Sequence, residues 1–148
     1  ITGYRCGVSD DFFLGGENRP ESGALPRLLF VGSWIERKGR RFVVEAFTRL
    51  RGEFPGLTLS VVGAGIPERE VLDSFPAEVR DGVGALERAD DRALREAYAG
   101  HDVFLFPTFH EAWGLVLLEA AAAGLAIVST NQRGPGEILE ADRSGLLI

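Results

Sequence analysis

A single cysteine, Cys6, stands in the whole sequence. It excludes an intrachain disulfide and any multi-cysteine metal site, and it reads as the usage of a reducing compartment. Only two histidines occur, His101 and His110, and they are not at metal-ligand spacing. Positive charge is also scarce. Sixteen Lys and Arg stand against 22 Asp and Glu, a net charge of −6. A general nucleic-acid binder carries a basic face, so this balance argues against that class. Residues 1–15 lack the apolar stretch of a signal peptide. No run reaches the ~20 apolar residues of a membrane span. Repeats and low-complexity tracts are lacking. The chain opens on Ile1 rather than Met, as a processed piece or an excised domain would.

What is present is ordinary for a globular protein. Hydrophobic residues make up 45% and charged residues 26%, and the length suffices for one domain with a real core. Gly7 to Phe13 reads as a turn whose two aromatics, Phe12 and Phe13, must pack somewhere. Gly15 to Pro26 is rich in Gly, Pro and Glu and reads as a linker or exposed loop. Apolar runs then mark strands at Arg27–Gly32, Thr58–Gly63, Val83–Leu86 (the weakest), Val103–Phe106, Leu125–Ser129 and Leu146–Ile148. Helical patterns lie between them. Arg40 to Leu50 has Val43, Ala46, Phe47 and Leu50 on one face. Pro67 to Ser74 predicts a short helix, and Asp91 to Ala99 another with Asp90 or Asp91 near its cap. Gly134-Pro135-Gly136-Glu137 opens a last short helix; it is a plain turn and cap, or Glu137 holds the neighbouring loop by accepting amides. Strands alternating with helices, most of them apolar on both faces, predict an α/β fold: a Rossmann-like, doubly wound parallel sheet of about six strands. Ligands bind such sheets beyond the carboxyl ends of the strands. The turns Gly32–Gly39, Gly63–Gly65, Thr108–Gly114 and Thr130–Gly136 all follow strands and should gather on one edge.

One stretch stands apart. From Ala112 to Val128 every residue is apolar or glycine except Glu119. It reads as a buried helix, Gly114 to Ala123, feeding a buried strand. A carboxylate inside an apolar helix is costly unless something hydrogen-bonds it, so Glu119 faces a cleft or pairs with a buried donor. Glu111 lies just before the helix. The separation of the two is ~12 Å along an ideal helix axis and roughly 80° around it, so both can line one elongated pocket. The free amides of the helix N-terminus between them attract anions.

The other motifs are weaker. Arg37-Lys38-Gly39-Arg40-Arg41 is a basic island. It is a solvated helix start, or it points to an anionic ligand, because a helix N-terminus disfavours cations. Gly63-Ala64-Gly65 lacks the third glycine of a dinucleotide fingerprint, with Glu68 in its place, and reads as a tight turn. Tyr98 and Phe109 read as packing, His101 as a helix-end residue and His110 as a loop residue.

His110-Glu111-Ala112-Trp113-Gly114-Leu115-Val116-Leu117-Leu118-Glu119-Ala120 resembles the Glu-(seven residues)-Glu motif of the family 4 retaining glycosyltransferases, which have the GT-B fold. The similarity runs on through Ala121–Thr130, the Arg133-Gly134-Pro135-Gly136-Glu137 turn and Ser144-Gly145-Leu146-Leu147. Upstream, Phe30-Val31-Gly32 with Lys38-Gly39 resembles the family's first strand and phosphate loop of the C-terminal half. Tyr98-Ala99-Gly100-His101-Asp102-Val103 resembles the approach to its fourth strand. The match covers about residues 4 to 148.

The resemblance implies the donor-binding half of a hexosyltransferase that takes a nucleoside-diphosphate sugar and retains the anomeric configuration. Residues 1–26 would be the end of an interdomain linker and a loop, and 27–148 the donor domain. It implies that Glu111 contacts sugar hydroxyls and that Glu119 binds the ribose diol. The amides of Gly114, Leu115 and Val116 receive the diphosphate or the sugar, and Lys38 neutralises the leaving diphosphate. Gly32, Ser33, Arg37 and Trp113 complete the donor site. No cofactor and no metal are implied.

The chain departs from the family pattern at several positions. Ser33 stands where Arg is usual, so that either Arg37 supplies the charge or diphosphate binding is weaker. Ala112 replaces a glycine, and Trp113 a common Phe. Glu87 stands before a base-binding loop where glycine is frequent, which leaves Arg88 and Ala89 uncertain base contacts. The family's acceptor site and usual catalytic His belong to an N-terminal domain that this chain lacks, so the fragment alone is expected to bind but barely turn over. A cytoplasmic setting is expected, and membrane contact of the full protein is left open. The alternatives are a non-catalytic nucleotide-binding module, for which Ser33 speaks, and a sugar-nucleotide epimerase or hydrolase, for which His110 is the nearby acid or base.

Overall fold

The structure, a computed structural model, describes residues 7–13, 25–111, 114–131, 139 and 145–148. Strands β1 (Arg27–Val31), β2 (Thr58–Val62), β3 (Val83–Leu86), β4 (Val103–Phe106), β5 (Ala126–Ser129) and β6 (Leu146–Leu147) form one sheet in the order β3-β2-β1-β4-β5-β6. Every pairing is parallel. Helices α1 (Arg40–Glu53), α2 (Glu68–Leu72), α3 (Asp91–Ala99) and α4 (Leu115–Ala122) lie between the strands. This is the doubly wound α/β sheet that the alternating pattern predicts, with strand limits within a residue of the expected ones.

Side chains alternate across the sheet with period two, which splits the core into two layers. Leu28, Phe30, Leu59 and Val61 meet Val43 and Phe47 of α1, Val71 of α2, and Phe75 and Val79 beyond it. Leu29, Val31, Phe104, Phe106 and Ile127 meet Tyr98 of α3, Leu117 and Ala120 of α4, and Ala123 just past it. Both faces of the central strands are therefore covered, as a parallel sheet requires.

Some local expectations are corrected. In α1, Val43 and Phe47 are buried, but Ala46 is exposed and Leu50 is 37% exposed. A 14-residue helix is ~21 Å long and a five-residue strand only ~17 Å, so the last turn of α1 overhangs the sheet; Val44 packs in place of Ala46. Of the two early aromatics, only Phe12 packs. A 3-10 turn, Asp10–Phe12, directs it inward, and Phe13 is 63% exposed. The helix expected over Pro67 to Ser74 is the shorter α2. A 3-10 helix over Ala77–Gly82 carries no apolar periodicity and was not expected.

Candidate functional site

Because all six strands are parallel, the turns after β1, β2 and β4 open on one edge. β1 and β4 are neighbours, and chain connections leave this pair in opposite directions. That is the switch point where doubly wound sheets bind ligands.

The turn after β1 is anchored before it reaches the site. Gly32 takes a positive φ of 132°, and its amide donates to the Val62 carbonyl at 2.8 Å. Trp34, inside this turn, is 2% exposed. Its amide donates to the Ala64 carbonyl at 2.8 Å, and its indole N–H to Ser74 Oγ at 3.1 Å. Its ring stacks on Phe75. Ser33 beside it is exposed. The turn ends at Gly39, with φ of +82°; a Cβ there would lie 2.0 Å from the Pro107 carbonyl oxygen. Only glycine lets the turns after β1 and β4 approach this closely.

Those two turns are then stitched together. The Phe109 amide donates to the Arg37 carbonyl at 3.0 Å. The fully buried Thr108 places Oγ1 3.1 Å from the His110 carbonyl and 3.4 Å from that of Arg37. Thr130 Oγ1, at the end of β5, donates to the Thr108 carbonyl. The result brings Lys38 to Glu111 across 73 residues of sequence: Lys38 Nζ donates to Glu111 Oε2. Their side chains are only 19% and 16% exposed. Lys38 Nζ also sits 5.8 Å from the centroid of the Phe106 ring.

Helix α4 begins four residues after Glu111. Gly114 is buried and left-handed, with φ of 57° and ψ of 40°. The first bonds of the helix run from the Leu117 and Leu118 amides to the Gly114 carbonyl. The Leu115 and Val116 amides precede that ladder and point out of the helix end. Leu115 is 49% exposed and Val116 half-buried.

Glu119 lies one turn further on. Of the two fates open to it in the sequence, the structure shows a buried donor: Tyr98 Oη donates to Glu119 Oε2 at 2.9 Å. Tyr98 is 1% exposed. Its burial, and then the Glu119 carboxylate, push its phenol well above the ordinary range, so it stays a donor. The sequence reading of Tyr98 as packing is therefore incomplete. Its ring packs on Phe12 and Phe104, and its hydroxyl serves Glu119. A Tyr followed at some distance by a lone carboxylate in an apolar helix is the signal that could have found it.

The basic island is largely satisfied from within. Arg40 pairs with Glu36 at 2.6 Å, Arg41 stacks over Phe42 and Phe109, and Lys38 pairs with Glu111. Arg37 is exposed and has no ion pair among the described residues. Gly63 and Gly65 form the expected turn with positive φ, their amides donating to the Leu86 and Glu87 carbonyls. Glu68 has a task of its own: it accepts from the Ala85 amide of edge strand β3 at 3.1 Å. His101, beyond α3, joins the Ala97 carbonyl and Ser60 Oγ at 2.6 and 2.8 Å. Glu87 and Arg88 are exposed, and Ala89 packs on the core. Cys6, Ala112, Trp113, residues 133–137 and Ser144 lie outside the described residues. Among the described residues no three His, Cys, Asp or Glu group as metal ligands would, and no helix is long and apolar enough to cross a membrane.

A six-stranded sheet wound in both directions from β1 and β4, with charged groups meeting at that divide, defines a Rossmann-type domain. The chain belongs to the group 1 glycosyltransferases, whose family model matches residues 25–148. It is 32% identical, over 99% of its length, to a glycogen synthase of Mycobacterium tuberculosis. It is 34% identical over 83% of its length to the lipopolysaccharide core biosynthesis glycosyltransferase LpsE of Rhizobium meliloti. It spans 35% of the length of each of these relatives. WaaG, a glycosyltransferase involved in lipopolysaccharide biosynthesis, superimposes with a TM-score of 0.72 at 30% identity, over 86% of this chain and 34% of that one. The C-terminal domain of the Francisella tularensis group 1 protein LpcC shares the fold, with a TM-score of 0.77 at 22% identity over 96% of this chain and 80% of that one.

Proposed function

We propose that this chain is the donor-binding domain of a retaining hexosyltransferase that uses a nucleoside-diphosphate sugar. The observation that carries the reading is the meeting of Lys38 and Glu111 at the switch point of the sheet, four residues before α4 begins. A cation, a carboxylate and a helix N-terminus side by side suit a ligand that carries both phosphate and hydroxyl groups. In this reading Lys38 and the Gly114, Leu115 and Val116 amides take the diphosphate, with Gly32, Ser33, Arg37 and Trp113 around it. Glu111 accepts from sugar hydroxyls and Glu119 from the ribose diol. Negative charge grows on the diphosphate as the glycosidic bond breaks, so a fixed Lys38 helps the transition state more than the ground state. The acceptor side falls to the part of the protein that this chain, at 35% of its relatives' length, does not include. Alone it binds donor and turns over poorly.

Ser33, exposed where the resemblance leads one to expect Arg, favours a second reading: a nucleotide-binding module without transfer chemistry. Calorimetric titration with UDP, GDP and ADP, then with their hexose conjugates, separates the two. The donor reading expects one nucleotide to bind, its affinity to fall with Glu119→Ala, and Glu111→Ala to cost the sugar conjugate far more than the free nucleotide. Equal losses for both ligands with Glu111→Ala would favour the module.

A further inference from the structure

We propose that Tyr98 is a positioning residue of this donor site: its buried hydroxyl fixes the Glu119 carboxylate against the first turn of α4, committing Oε2 to the protein and leaving Oε1 for the nucleotide. The inference rests on the donor reading above and adds a residue that touches no ligand.

The geometry begins with helix direction. Side chains of a helix lean back toward its N-terminus, so a residue covers the turn before its own Cα. Glu119 therefore reaches back over Leu115 and Val116, which sit four and three places earlier on the same face. Tyr98 Oη bears this out, since it lies 2.9 Å from Glu119 Oε2 and 3.3 Å from the Val116 carbonyl at once. One hydroxyl thus ties the carboxylate to the same turn whose amides open the helix. The hydroxyl itself has little freedom. The Tyr98 ring is held edge-on by Phe12 at 5.8 Å and flanked by Phe104 at 6.1 Å. Glu119 is half-buried while Tyr98 is buried, so the protein-facing oxygen is the one the phenol takes. A carboxylate on a flexible stem pays rotamer entropy when it binds a diol; one already held does not.

The test compares wild type, Tyr98→Phe, Glu119→Ala and the double variant, by titration with the nucleoside diphosphate that the wild type binds best. Tyr98→Phe keeps the ring packing and removes only the hydroxyl. We expect it to weaken binding about tenfold, the scale of one hydrogen bond to a charged group. On the Glu119→Ala background it should cost nothing further. A tenfold loss that persists in the double variant would reduce Tyr98 to packing. Loss with Glu119→Ala but none with Tyr98→Phe would overturn the positioning role and leave the donor reading standing. A wild type that binds none of the nucleotides would overturn both.

Discussion

At the scale of single residues, the site depends on groups that carry no chemistry. Gly39 is the clearest. Its left-handed backbone costs other residues ~1–2 kcal/mol, and a Cβ would strike the Pro107 carbonyl at 2.0 Å. Gly39→Ala should lower stability by roughly 2–5 kcal/mol, read as a shift in urea midpoint. His101 gives a pH signature. Burial pushes its imidazole below 6.5, with Arg27 adding to the fall and the Ala97 carbonyl and Asp102 opposing it. A histidine depressed in the folded state contributes fully above its unfolded value. Below pH 6.5 the unfolded chain binds the proton first, and that stability drains away toward the folded value. Urea midpoints should therefore fall with acidification from pH 6.5 downward, and His101→Gln should flatten that part of the curve. A slope unchanged in the variant would assign it to other groups.

At the scale of elements, the sequence was legible where one local pattern decided the outcome. The strands announced themselves because a parallel strand covered on both faces must be apolar throughout. The cap of α3 was narrowed to Asp90 or Asp91, and the structure chooses Asp90, whose Oδ1 accepts from the Ala93 amide at 2.8 Å. Asp90→Ala should cost ~1 kcal/mol in chemical denaturation. Legibility failed where the partner lay far along the chain. Lys38 and Glu111 were each visible, but nothing in either segment says that they touch; that follows from β1 lying beside β4. Tyr98 reaches Glu119 across 21 residues, and its ring alone justified the packing role it was given. The burial of Trp34 was not legible because its neighbours are polar, while the pocket that receives it is built by Phe30 and Phe75. Helix ends were blurred for a related reason: the overhang of α1 depends on the length of the strand beneath it.

At the scale of the whole molecule, the donor reading makes a prediction that needs no assay of transfer. A ligand that binds only the folded state adds ~2.7 kcal/mol at a hundred times its Kd. In a chain of this size that is a rise of about 5–11 °C in melting temperature. The nucleotide that binds in calorimetry should produce it, and Glu119→Ala should abolish most of it at the same concentration. A melting temperature indifferent to every nucleotide would speak against a donor site in this chain.

The two core layers also differ in how far along the chain their parts are spread. The layer under α1 and α2 draws its buried residues from between Leu28 and Val83. The layer under α3 and α4 reaches from Phe12 to Leu139. Loop closure penalises the wider span, and a chain made from its amino end delivers the buried residues of the narrower one while the other still lacks most of its own. The central strand β1 thus acquires one covered side early and waits for β4 before the other can close. Tyr98 belongs to the late side and its hydroxyl holds Glu119 there, so a nascent chain that stops short of α4 has the phenol without the carboxylate it serves.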